Sequence, residues 1–264
     1  MLRYAPNISW VFPELAFEDR PQAVFQAGFD AIEFGFYGGV DLDAIEEARS
    51  AFGLEIVLFN MDMPVWDETH RGYLADPSLR PQFQRALDAA LDVAGHLAAS
   101  KVMIPVGARL PGVGRKAQAD CIVRNLRYAA PLAEQADVVL TIEALNPDDI
   151  PNYFLTSSRT AVEIVREVNH PNVKFQFDTY HLQMIEGHLV QTLAEVMDAI
   201  GHVQFGDAPG RTEPGWGELD IAQLDAAVEQ SGYRGFIGLE YSPVSPGAST
   251  FTWVPENRKA RPPH

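Results

Sequence analysis

Short apolar runs alternate with amphipathic stretches along the whole chain. Asn7 to Trp10 reads as a first strand. Helical spacing follows from about Glu18 to Ala27, and Gly28 is the residue type common just past a helix end. Ala31 to Phe34 is a second strand, with Glu33 inside it. Asp41 to Phe52 is helical, capped by Asp41 and stopped by Gly53, and Leu54 to Phe59 is a third strand. The same reading places strands at Lys101–Val106, Val138–Glu143, Asn172–Asp178, His202–Asp207 and Phe236–Glu240. It places helices at Arg80–Ala99, Lys116–Ala136, Thr160–Val168, Leu189–Ile200 and Ile221–Ser231.

Strand–helix alternation with no composition break predicts a parallel sheet. Eight such units in 264 residues match a single closed (β/α)8 TIM barrel spanning residues 1–264, with about 256–264 as a loose basic tail. The runner-up is a doubly wound open sheet. That fold carries a Gly-rich fingerprint after its first strand, and none is present.

Two loops stand out from this pattern. Asn60 to Leu79 is long for a connection inside a compact fold and holds Trp66, His70 and Arg71, which places a lid or binding role there. Gly201 to Asp220, GHVQFGDAPGRTEPGWGELD, starts as a strand and ends in a loop crowded with Gly, Pro and charge. Loops set on a rigid scaffold are where binding groups concentrate.

Composition narrows the partners. The hydrophobic fraction of 47% suffices for a large core. A net charge of −16 opposes binding to nucleic acid or to an anionic membrane surface, while leaving room for a small anionic substrate held by local arginines. One cysteine, Cys121, forms no internal disulfide and fits a reducing compartment. The N-terminus lacks the features of a signal peptide, and no run nears the roughly 18 apolar residues of a membrane span. The expectation is a cytoplasmic protein with a small-molecule substrate.

The late strands end alike. VVLTIE closes on Glu143, VKFQFD on Asp178 and FIGLE on Glu240, while HVQFGD offers Gln204 and Asp207. Each lies about one strand–helix unit from the next, so these groups can meet at the C-terminal rim where barrel enzymes carry their chemistry. Several carboxylates on one rim repel unless a cation sits among them. Carboxylates plus an amide oxygen suit Mg²⁺ or Mn²⁺. Residue reasoning alone leaves Gln204 and Asp207 as alternatives for the fourth ligand. His181, just past Asp178, and Arg211, in the crowded loop, are candidates to hold substrate, Arg211 by bidentate pairing with a carboxylate. His70 and Arg71 are placed to close over the site, and Glu213 faces either Arg211 or water.

At these residues the chain resembles the hydroxypyruvate isomerase family, within the xylose isomerase-like barrels. The matching stretches are RGYLADP from Arg71, NLRYAA from Asn125, IEALNPDDIPNYFL from Ile142, FDTYHLQMIEG from Phe177, the Gly201–Asp220 stretch and GYRGFIGLEYSP from Gly232. The resemblance implies metal ligands at Glu143, Asp178, Gln204 and Glu240, with Glu143 and Glu240 also the acid–base pair. It gives His181 and Arg211, with Arg71 nearby, to the substrate. Thr212 stands where the family has His, and Ser242 where it has Lys. A homo-oligomer is compatible with such a barrel.

The reaction implied is interconversion of hydroxypyruvate and tartronate semialdehyde through an enediolate. A 2-oxo-tetronate type isomerase or a ketose 3-epimerase would use the same site. A DNA-repair endonuclease would want more metals, more His ligands and a basic face. A barrel that only binds would not need the Glu143 and Glu240 pair.

Overall fold

The computed structural model describes residues 2–63, 67 and 71–259. Eight parallel strands form one sheet in the order β1-β8-β7-β6-β5-β4-β3-β2. The strands are β1 Arg3–Pro6, β2 Ala31–Phe36, β3 Glu55–Asn60, β4 Lys101–Met103, β5 Val139–Glu143, β6 Val173–Asp178, β7 Ile200–Phe205 and β8 Phe236–Leu239. Where β1 meets β2, an isolated parallel bridge between Asn7 and Glu33 joins them, and Ile8 N donates to Glu33 O at 2.8 Å. The result is a nearly closed (β/α)8 TIM barrel.

The helices are α1 Arg20–Gln26, α2 Leu42–Phe52, α3 Arg80–Leu97, α4 Arg115–Gln135, α5 Ser158–Val168, α6 Thr179–Ile185, α7 Leu189–Val196 and α8 Ile221–Gln230. Asp41 caps α2 by accepting from Ala44 N, and Gly53 ends it at φ 66°. The helices are unevenly spread. Two lie between β6 and β7, and β8 is followed by 3-10 turns at Gly247–Phe251 and Glu256–Arg258. None of the described helices is long and apolar enough to cross a membrane.

Several boundaries differ from the sequence reading, each for a local reason. The first strand is Arg3–Pro6, because Asn7 turns the chain: Trp10 N and Val11 N both donate to Asn7 O. Strand β4 stops at Met103 and not at Val106, since Pro105 lacks the N–H that a ladder needs. Strand β7 ends at Phe205, and Asp207 pairs instead with Thr212. Helix α6 was not anticipated. The 256–258 part of the expected loose tail is held down, since Arg258 donates to Asp225 at 3.1 Å and Glu229 at 2.7 Å. Residues 260–264, Trp66 and His70 lie outside the described residues.

Candidate active site

The barrel brings the polar strand ends together by register. Glu143 ends β5 opposite Gln176, Asp178 ends β6 opposite Gln204, and Gln204 in β7 lies opposite Gly238 in β8. Glu240 follows β8 directly. Alternate residues of a strand share one face, so Gln176 joins Asp178, and His202 joins Gln204.

Glu143, Asp178 and His181 bring ligand atoms within 4.8 Å of one another. Glu143 Oε1 and Asp178 Oδ2 are buried without a hydrogen-bond partner among the described residues. Unpartnered buried carboxylate oxygens are costly, and two of them facing one point suit a divalent cation. Glu240 lies outside this cluster and is joined to it through Arg211, whose Nη2 also stands 3.7 Å from Asp178 Oδ2. Its Oε1 accepts from Arg211 Nη2 at 2.5 Å, and its Oε2 accepts from Asn7 Nδ2 at 3.1 Å and from Gln204 Nε2 in a short bond. Gln204 Oε1 accepts from Gln176 Nε2 at 2.7 Å, which also reaches Glu143 Oε2 at 3.3 Å. One chain of amides therefore links the two glutamates.

The histidine of this cluster presents a hydrogen-bond donor to the cavity and not a lone pair. Asn146 N donates to His181 Nδ1 at 3.2 Å. A backbone N–H can only donate, so Nδ1 carries the lone pair and Nε2 carries the proton. Burial, with the Arg211 charge, pushes His181 well below its ordinary pKa, which keeps the ring neutral. A neutral ring with hydrogen on Nε2 offers a donor and no free ligand atom. The oxygen donors Glu143, Asp178 and Glu240 remain as the groups fit for a hard cation, with the second lone pair of Gln204 Oε1.

Electrostatics favour protons on the acids. Burial raises the Glu143 carboxyl well above its ordinary range, and the Asp178 and Glu240 charges raise it further. Burial likewise raises Asp178 and Glu240, each partly offset by Arg211. Burial alone would lower the Arg211 guanidinium, but the Glu240, Asp178 and Glu143 charges outweigh it and hold it above its ordinary value. Arg211 lies 3.7 Å from Asp178 Oδ2, and its guanidinium carbon lies 4.5 Å from the Trp10 ring centroid and 5.1 Å from that of Tyr180.

Asp207 is not a ligand. Its buried carboxylate accepts from the N–H groups of Ala208, Gly215, Gly217 and Leu219 at 2.9–3.0 Å, so it shapes the loop that carries Arg211. Glu213 faces neither Arg211 nor open water; it accepts from Val244 N and Ser245 N and ties this loop to the one after β8. Thr212 and Ser242 meet through backbone, and Ser242 N donates to Arg211 O at 2.8 Å. Arg71 is buried at φ 33° and is not among the described residues that line the cavity.

That cavity measures about 490 Å³ and is lined by Glu143, Glu240, His181 and Arg211, with Trp10 and Ile150 among its apolar walls. Trp10, Tyr180, Asn7, Asn146 and Gln176 escaped the sequence reading. For Gln176 a signal was present, since it precedes Asp178 by two in an alternating strand. For the others only the folded chain supplies the contact.

Comparison with known proteins identifies the family of the barrel. The sequence pattern of the xylose isomerase-like TIM barrel family matches residues 21–260. The chain is 34% identical over 254 residues to a protein of Escherichia coli named hydroxypyruvate isomerase, covering 96% of this chain and 98% of that one. It is 34% identical over 257 residues to a protein of Cupriavidus necator named 2-oxo-tetronate isomerase, with coverage of 96% and 98%. A crystal structure from Brucella melitensis, described as AP endonuclease, family 2, superposes with a TM-score of 0.91 at 35% identity, covering 96% of this chain and 98% of that one.

Proposed function

The chain belongs to the xylose isomerase-like TIM barrel family, and from that premise we propose that it is an isomerase interconverting hydroxypyruvate and tartronate semialdehyde. The observation that carries the reading is the pairing of two glutamates, the buried Glu143 and the partly buried Glu240, on one cavity that also holds a cationic Arg211 and a neutral His181.

One glutamate takes a proton from the hydroxyl-bearing carbon of the substrate. The other returns a proton to the adjacent carbon, and the hydroxyl proton passes from the first oxygen to the second, so the carbonyl and hydroxyl exchange places. A carboxyl group raised above its ordinary range is better matched to this task, because a stronger base takes a carbon-bound proton more readily. Arg211 and the Nε2–H of His181 hold the substrate carboxylate. Arg211 Nε, buried without a partner among the described residues, is a donor in reserve. Glu143, Asp178, Gln204 and Glu240 would hold a Mg²⁺ or Mn²⁺ ion. Such an ion supplies Lewis-acid polarisation and stabilises the enediolate charge. The cytoplasm is the compartment that fits one cysteine and this chemistry.

The test is solvent deuterium exchange into hydroxypyruvate, followed by NMR. Glu143→Gln and Glu240→Gln should each lower exchange about 10²–10⁴-fold while the variants stay folded. Rates near wild type in both would remove the assignment. The cavity is roomy for a three-carbon acid, so a four-carbon 2-oxo acid and a free ketose belong in the same panel. Faster turnover of either would move the substrate, leaving the glutamates in their roles.

A further inference from the structure

Beside the acid–base pair lies a carboxyl group with no part in the proton transfer. Glu33, inside β2, is fully buried. Its Oε1 accepts from Asn7 Nδ2 at 3.2 Å and Gln204 Nε2 at 2.7 Å, and its Oε2 meets His202 Nε2 at 2.7 Å. The same two amides are the donors that reach Glu240 Oε2.

An amide NH₂ has two hydrogens. With one committed to Glu33, the other is aimed at Glu240. The orientation of each amide is fixed from its other end as well. Asn7 Oδ1 accepts from Ser9 N at 3.1 Å, and a backbone N–H leaves no choice of which atom faces it. Gln204 Oε1 accepts from Gln176 Nε2, whose own oxygen takes the Thr141 hydroxyl at 2.8 Å. Both donors therefore converge on one oxygen of Glu240 and leave the other to Arg211. The barrel also makes room for the anchor: a Cβ at Gly238 would fall 2.4 Å from Glu33 Oε2.

We propose that Glu33 is a positioning residue for Glu240, acting through the shared amides of Asn7 and Gln204. Without its acceptor oxygen the two amides lose the partner that turns their N–H groups toward Glu240. A rotated amide would present its own oxygen to that carboxylate, and Glu240 would swing away. His202 grips the second oxygen of Glu33 and keeps the carboxyl plane in place. Residues that orient a metal-site group from behind typically change metal affinity or activity by about 10–100-fold when removed.

The activity arm of the test rests on the isomerase reading; the structural arm does not. Glu33→Leu removes the acceptor at similar volume, and Glu33→Gln keeps an acceptor oxygen for both amides, its NH₂ donating to His202 Nε2 when that ring carries its proton on the unpartnered Nδ1. Crystal structures of the two variants should show the Glu240 carboxylate displaced from Asn7 and Gln204 in the first and kept in the second. In the first, kcat should fall about 10–100-fold with KM near wild type, and Glu33→Gln should restore most of it. A Glu240 that stays in place in folded Glu33→Leu overturns the proposal, as does equal loss in both variants. If Glu33→Leu does not fold, Asn7→Ala carries the test through the same two readouts: a displaced Glu240 with a lower kcat supports the proposal, and either one unchanged overturns it. A wild type inactive on hydroxypyruvate would sink the isomerase reading, and the displacement of Glu240 would still decide this one.

Discussion

Arg211 sits in left-handed backbone at φ 49° and carries its guanidinium between the rings of Trp10 and Tyr180. Its ion pairs with Glu240 and Asp178 set its charge environment, but the rings set its plane. A cation over an aromatic face gains about 0.5–2 kcal/mol, more where water is excluded. Trp10→Ala should therefore raise KM for a carboxylate substrate about tenfold and change kcat less, because it removes no group that donates to either glutamate. Steady-state kinetics on hydroxypyruvate checks this; an unchanged KM would mean that Tyr180 and the ion pairs hold Arg211 alone. Glu213, drawn away from Arg211 to the N–H groups of Val244 and Ser245, acts at this scale only by fixing the loop.

At the scale of elements, helix α6 is where site and scaffold meet. Asp178 ends β6 and is the N-cap of α6, its Oδ1 accepting from His181 N at 3.0 Å. The cap oxygen seats the helix, and the helix seats His181 against Asn146. The same side chain keeps Oδ2 buried without a hydrogen-bond partner among the described residues, 3.7 Å from Arg211 Nη2. These two duties separate by substitution. Asn caps as well as Asp does, so Asp178→Asn should leave stability within about 1 kcal/mol and cut Mn²⁺ affinity at least tenfold. Asp178→Ala should lose both, with the missing cap costing about 1 kcal/mol or more. Denaturant titration and calorimetric Mn²⁺ binding distinguish them; equal Mn²⁺ affinity in Asp178→Asn and wild type would remove Asp178 from the ligand set.

Across the whole molecule, three buried acids and the partly buried Glu240 cluster inside an acidic barrel. Burial pushes Glu33 up to about 7, eased by its bonds to Gln204 and Asn7, and Glu143, Asp178 and Glu240 are raised as well. An acid whose pKa is raised on folding binds more protons in the native state than in the unfolded chain. Its contribution to stability is full below the unfolded value of about 4.5 and is lost as pH rises through about 7. Glu33 alone should therefore remove on the order of 3 kcal/mol from metal-free protein between pH 4.5 and 7, while His181 and His202, which burial holds below their ordinary value, act in the opposite sense up to about pH 6.5. Exposed acids with lowered pKa, such as Glu46 beside Arg49, act below that window and do not cancel it. Mn²⁺ should reverse the loss, increasingly so at higher pH, because the ligands must be deprotonated to bind it. Thermal melts across this range, with chelator and with Mn²⁺, check both signs. Chelated Glu33→Leu should lose less stability than chelated wild type over pH 4.5–7; parallel profiles would contradict the buried-acid picture.

The sequence by itself determined the barrel and its polar rim. Strand–helix periodicity depends on near neighbours, so the strand ends carrying Glu143, Asp178 and Glu240 could be read within a residue or so, and Gln204 placed on its strand. Helix α6 was hidden because DTYHLQMI has no strong apolar period, and its cap is a residue that reads equally well as a site acid. Only the tertiary structure decided which polar groups touch. Asp207 and Gln204 looked alike as strand-end candidates, yet one became the hub of four backbone N–H groups and the other a link between carboxylates. Glu33 and Glu240 lie at opposite ends of the chain and share two amide donors only because the first and last strands close the barrel. Period and composition report which face of an element is buried; which partner waits there depends on where distant strands come to rest.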